Sequence, residues 1–190
     1  MLGNKGYDRM NCLMRRTTMT VLAILLLIAA IPAYAVKYVA VVETEVDAQS
    51  GVSAILNPAE VRQITAELRR QATENLPPDR YSVMTSETVM SMGGAVLEEC
   101  SEENCVISLG SKIGADYIVR GTISKFGTKL TLSVELYETE NGTLVVTSEP
   151  VRSEKTEELL DKVTTTAANM YRKFVGIIAA TKRQTAVVTL

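Results

Sequence analysis

Apolar positions in this chain recur in two rhythms, and the change from one to the other divides the sequence. Val36–Thr44 (VKYVAVVET) is a β-branched run with little polarity, suited to a strand buried on both faces. After a loop over 47–57, Asn57-Pro58-Ala59-Glu60 supplies an N-cap, a Pro at the first helical position and a Glu three residues after the cap. Val61, Ile64, Leu68 and Ala72 then follow at helical spacing and form one apolar stripe, which Pro77-Pro78 ends. Arg80–Thr85 reads as a second strand. Ser86-Glu87 opens a short helical turn whose Met90 and Met92 read as core filler, closed by Gly93-Gly94. A second full helix starts at Ser101 or Glu102, carries Val106, Ile107, Leu109 and Ile113, and takes Gly114 as its C-terminal cap.

From Asp116 the period becomes two. Tyr117–Lys125 is followed by a turn at Gly127 and by Lys129–Tyr137. There Leu130, Leu132, Val134 and Leu136 share one face, with Thr131, Ser133 and Glu135 on the other. That is the pattern of an antiparallel strand with one wet face. Asn141-Gly142 is a hairpin signal leading into a third strand at Leu144–Ser148. Ser153–Phe174 is the last helix, acidic at its start and basic at its end, as the helix dipole favours. Residues 175–190 mix apolar and basic positions without caps and read as a tail, an extra edge strand at Ala186–Leu190, or a partner-binding strand. The expected fold class is α/β of the α+β kind. Its mixed five-stranded sheet ends in an antiparallel meander and is packed by about three helices, all within residues 36–174.

The N-terminus changes the picture by fixing a compartment. Arg9, Arg15 and Arg16 precede an uncharged stretch, Thr17–Val36, of 20 residues, and Ala33-Tyr34-Ala35 offers small residues two apart. A basic start, an apolar core and an A-x-A site make a cleavable signal peptide over 1–35, which puts the mature protein in the periplasm. The competing reading is an inner-membrane anchor, since 20 uncharged residues reach across a bilayer.

Composition then narrows the chemistry. Residues 1–35 hold four of the 20 Lys and Arg and one of the 22 Asp and Glu, so the rest of the chain carries a net charge of −5. A mildly acidic balance argues against a nucleic-acid partner and against adhesion to anionic lipid through a polybasic patch. With no histidine in the chain, any triad that needs one is excluded, and so is the commonest zinc ligand. Cys100 and Cys105 remain after cleavage, and an even count in an exported protein favours a disulfide between them, against a metal site or two free thiols. The neighbouring Glu98, Glu99, Glu102 and Glu103 are the candidates for carboxylate chemistry, against a plain solvated patch. No catalytic constellation, metal site or cofactor fingerprint emerges.

The stretch Glu98–Thr147 resembles a family of small bacterial envelope domains. These are related to the N-terminal domain of the Tol-Pal translocation protein TolB, and include the curli-secretion and penicillin-binding-protein-activator lipoproteins. The matching residues are Leu109, Gly110, Gly114-Ala115-Asp116, Gly121, Ile123 and the hairpin Glu140-Asn141-Gly142, with the strand at Val39-Ala40-Val41 in the same order. Residues 33–37 (AYAVK) lack the lipid-modified cysteine of the lipoprotein members, and the chain has no room for a TolB propeller. The resemblance implies a non-enzymatic envelope module that works through protein contacts and carries over no catalytic residue, while Gly114, Ala115, Asp116, Gly121, Asn141 and Gly142 read as structural turns. Expected partners are envelope proteins, or a second copy paired through a sheet edge. The alternatives are an anchored structural protein that keeps its N-terminal helix, and a carboxylate-dependent hydrolase.

Overall fold

A computed structural model describes residues 35–93 and 103–188, and all the described elements belong to one unit, Val36–Leu190. They run β1 (Lys37–Val41), β2 (Glu45–Val46), two 3₁₀ turns, α1 (Pro58–Asn75), β3 (Tyr81–Val83), α2 (Ser86–Gly93) and α3 (Glu103–Lys112). Then come β4 (Tyr117–Phe126), β5 (Lys129–Glu138), β6 (Thr143–Thr147), β7 (Val151–Ser153) and α4 (Thr156–Val188). The mixed α/β class is as expected. The sheet order is β3-β1-β4-β5-β6, parallel from β3 to β4 and antiparallel from β4 onward.

The sheet is five positions wide, yet seven strands build it, because two rows are broken. β2 pairs with β4 beyond the end of β1, and β7 pairs with β5 beyond β6. Val36–Thr44 therefore does not run as one strand. The break lies where the chain passes Gly121: a Cβ there would sit 2.9 Å from Thr44 Oγ1 and 3.1 Å from Leu68 Cδ1. Thr44 is buried in that space, and its N–H donates to Thr65 Oγ1 on α1 at 2.9 Å, outside the sheet ladder. Gly121, expected at a turn, instead lies inside β4 opposite Val134, and its bare backbone lets β1, α1 and β4 close on one another.

One face of the sheet is dry. α1 and α4 cover Val39, Val41, Val119, Ile123, Leu130, Leu132, Val134 and Leu136, all buried. α1 forms as its sequence demands: Asn57 Oδ1 accepts from the N–H groups of Ala59 and Glu60, and Glu60 Oε2 accepts from Asn57 N–H at 2.8 Å. Phe174 meets Tyr81 and Tyr117 edge-on at the end of the sheet where β1, β3 and β4 begin, centred 5.0 Å from Tyr117, and the two tyrosines are tilted against each other. Burial pushes the Tyr117 phenol up to about 12.

The other face is covered along one end. α2 and α3 close over Ala40, Val42, Ile118 and Tyr137 with Val89, Val106, Leu109 and Ile113. Beyond them Arg120, Thr122, Ser124, Thr131, Ser133 and Glu135 are half-buried, the wet side of the alternation in β4 and β5.

Several expectations need correction. Met90 and Met92 are 65% and 48% exposed, while Val89 turns inward, so neither methionine fills the core. Ser153 belongs to β7, and α4 starts at Thr156. There Ser153 Oγ accepts the Lys155 N–H at 3.1 Å and donates to Glu158 Oε2 at 2.8 Å, which ties the strand to the first turn of the helix. Residues 175–188 are neither a tail nor an edge strand. α4 runs through them for 33 residues in all, because Ala179, Ala180, Lys182, Arg183 and Gln184 favour helix and no proline interrupts.

Candidate functional site

Most of the residues singled out from the sequence gather at one end of the sheet. Gly114 has φ +71°, its N–H bonds to Ser111 O at 3.2 Å, and Ala115 N–H bonds to Gly110 O at 2.9 Å. This paired arrangement closes a helix C-terminus and requires the left-handed residue that glycine supplies. Asp116 then fastens β1. Its carboxylate accepts from Tyr38 N–H at 2.7 Å and from Lys37 Nζ at 2.6 Å, and its own N–H returns a bond to Tyr38 O. The Asp116 carboxylate raises the Lys37 ammonium above its ordinary value, chiefly through that hydrogen bond. Thr139 donates its hydroxyl to Ala115 O, and Ser111 Oγ donates to Thr139 O at 3.1 Å. Asn141 and Gly142 complete the four-residue β5–β6 turn, with Gly142 at φ +63° and Asn141 Nδ2 donating to Glu138 Oε2 at 3.3 Å.

Lys37, Ser111, Gly114, Ala115, Asp116 and Thr139 from this set line a cleft of about 210 Å³, with Glu138 and Glu140. Asp116 is committed to β1, Thr139 to the α3–β4 turn and Ser111 to Thr139, so the arrangement fastens four elements. It places neither a nucleophile beside a base nor a donor set for a ligand.

The carboxylate candidates are not brought together by anything described. Cys100, Glu98, Glu99 and Glu102 lie outside the described residues, as does the side chain of Glu103. Cys105 is half-buried in α3. Elsewhere on the sheet Glu45 and Arg120 form an ion pair between β2 and β4.

The feature best placed for contact with another chain is the β6–β7 edge, which the sequence pattern located in part. β6 is one of the two terminal strands of the described sheet, β3 being the other. Its register with β5 shifts between Leu136 and Tyr137, which leaves Val145 out of the ladder. Thr143, Leu144 and Thr147 are exposed, with Leu144 at 45%. After β6, Ser148 turns inward: its N–H bonds to Val134 O at 2.8 Å, and its Oγ accepts from Val134 N–H at 3.1 Å. Pro150 separates this residue from β7.

Beside β7 lies a groove of about 570 Å³ between the strand and the first turns of α4, lined by Glu149, Arg152, Glu158, Asp161, Lys162 and Thr166 among others. Lys162 Nζ bonds to Glu158 at 2.6 Å and to Arg152 O at 2.9 Å, and holds the Glu158 carboxyl below the usual range. Glu149 and Asp161 sit at the same groove and are exposed. Sequence reasoning missed this groove because it placed Ser153 in a helix and so overlooked β7. The signal was Pro150 followed by the short β-prone pair Val151-Arg152.

No family model matches the chain, and no curated protein does. Among solved structures it is similar to the C-terminal domain of LpoB from Salmonella enterica, at 16% identity and TM-score 0.44, over 70% of this chain and 93% of that one. It is also similar to the PelC dodecamer from Paraburkholderia phytofirmans, at 14% and 0.45, over 75% and 91%. A third is TolB from Acinetobacter baumannii, at 12% and 0.40, over 68% of this chain and 27% of that one. TolB and LpoB, a penicillin-binding-protein activator lipoprotein, stand for two of the groups that the Glu98–Thr147 stretch resembles. With these identities and with TM-scores below 0.5, nothing of these proteins is carried over to this chain.

Proposed function

We propose that this protein is a non-enzymatic binding or assembly module of the bacterial envelope, and that it captures a partner chain at the β6–β7 edge. The observation that carries the proposal is the edge itself. A terminal strand offers backbone N–H and C=O groups that another strand satisfies, while the side chains around it supply selectivity. Leu144 provides an exposed apolar contact, and the charged groove beside β7 lies next to the same row. Charged walls of this kind tune on-rate and specificity more than affinity. The test is site-specific photo-crosslinking in envelope fractions. Probes at Leu144 and Arg152 should give discrete adducts, and a probe at Arg62 on the outer side of α1 should give none. Equal labelling at all three positions refutes the edge. Val145→Pro removes an N–H from the residue outside the ladder, so it should abolish the adducts while the protein stays folded.

The location proposed is the periplasm, after cleavage behind Ala35. Support comes from the A-x-A pattern and the uncharged run. Intact mass should begin at Val36, whereas the full-length chain in inner membranes would establish the anchor. A Cys100–Cys105 bridge fits that compartment and is supported by the disulfide-bonded state of Cys105. Alkylation without reductant should then label neither residue.

A further inference from the structure

We propose that the groove beside β7 receives the β4–β5 hairpin tip of a second copy of this chain, an assignment that rests on reading that groove as a contact surface. Phe126 ends β4 and is 88% exposed, more than any other large apolar side chain among the described residues. Its backbone is fixed. Phe126 pairs with Lys129 across a two-residue turn, whose first residue, Gly127, takes the positive φ of +63° that primed hairpin turns require there. Lys125 and Lys129 flank the ring, and neither forms an ion pair among the described residues.

The groove has the complementary set. Glu158 is already paired with Lys162, but Glu149 and Asp161 are exposed and form no ion pair among the described residues. Pro150, Val151, Thr165 and Thr166 complete a lining of about 570 Å³, which has room for a phenyl ring. Arg152, at the same groove, offers a guanidinium to the face of that ring. An aromatic anchor between two lysines thus meets a concave surface that carries two carboxylates without partners.

A second copy is selected because both halves of the contact are on this one chain, close together. Ser153 of β7 is in register with Leu130, the residue after Lys129, so tip and groove lie toward the same end of the sheet. Phe126 does not fill the groove of its own copy, since its ring stays exposed. Each copy therefore presents a free tip and a free groove, and a two-fold pair forms the contact twice, tip into groove in both directions. A foreign chain with an acidic pocket would engage one ring and leave the groove empty. The charges set register and specificity, and the rings supply the apolar burial.

The Val36–Leu190 unit, compact by its own contacts, holds both surfaces. In sedimentation equilibrium it should form a reversible dimer. Phe126→Ser should lower the association constant at least about tenfold without moving the thermal midpoint. Lys125→Glu/Lys129→Glu and Glu149→Lys/Asp161→Lys should each be monomeric alone, because like charges then face one another across the contact. Mixed in equal amounts they should dimerise again, since each tip now meets a groove of opposite charge, and that recovery shows both variants to be folded. A chain that is monomeric throughout overturns the proposal, and so do dimers that Phe126→Ser leaves intact. A mixture that stays monomeric while both variants keep the thermal midpoint overturns it as well; where a charge variant is destabilised, Phe126→Ser decides. Foreign adducts at Leu144 on a monomeric chain would uphold the β6–β7 edge and overturn the self-contact alone.

Discussion

The two faces of the sheet are built by the same strands and differ in almost everything else. Toward α1 and α4, β4 and β5 present Tyr117, Val119, Ile123 and four consecutive alternate aliphatics, all buried. Toward α2 and α3 they present Ile118 and Tyr137 under a smaller cluster, then give way to Arg120, Thr122, Ser124, Thr131, Ser133 and Glu135. The difference teaches where stability and freedom to vary reside. The first face supplies the hydrophobic driving force. The second needs cover over part of its length and leaves hydroxyls and charges in contact with water.

The contrast breaks most sharply at Phe174. Phe174→Ala removes a buried ring from the Tyr81–Tyr117 cluster and should cost about 3–5 kcal/mol in urea unfolding. Thr131→Ala and Ser133→Ala, on the wet side of β5, should each stay within about 0.5 kcal/mol. Comparable losses at the two kinds of site would mean that the wet face is packed in solution.

Gly121 tests how tightly the dry face closes. Gly121→Ala puts a methyl 2.9 Å from Thr44 Oγ1 and 3.1 Å from Leu68 Cδ1, both on buried residues. About 1–3 kcal/mol should be lost, the range for overpacking. A smaller effect is expected at Asn57, whose carboxamide caps the helix that lies on this face. Asn57→Ala should cost about 1 kcal/mol, with Asn57→Ser close to neutral.

How far the sequence discloses this architecture depends on the range of the interactions. The cap at Asn57, the α1 stripe, the alternation of β5 and the Asn141-Gly142 hairpin are set by residues within a few positions of one another, and the structure contains each of them. The break between β1 and β2 lies where Thr44 packs against Gly121, far along the chain, and no local pattern in VKYVAVVET carries it. β7 is three residues long and gains its identity from pairing with Leu130–Leu132. The extent of α4 was obscured for another reason: past Ile178 the residues up to Val188 mix small, apolar and basic side chains without a regular apolar stripe. At the α3–β4 end the glycine turn was legible from spacing, but the convergence of Lys37, Asp116, Ser111 and Thr139 depends on contacts between distant segments.

The smallest effect expected sharpens the comparison through pH. Glu67 lies on α1 and joins it to α4, accepting from Thr164 Oγ1 at 2.6 Å while pairing with Arg70 at 2.6 Å. The Arg70 hydrogen bond first, then those of Thr164 and Gln71, hold its carboxyl below the usual carboxylate range. A depressed folded-state value means that the contribution is present above the unfolded-state pKa and lost as pH falls through the folded one. Stability should therefore decline between about pH 5 and pH 2 by an amount that Glu67→Gln removes. Arg70 is half-exposed, so solvent screening keeps this increment below about 1 kcal/mol. Thr164→Val deletes the link between the helices and leaves the Arg70 pair in place. If the pH-dependent increment is unchanged in that variant, Glu67 acts within α1 alone, and the two helices of the dry face are held together by apolar packing without it.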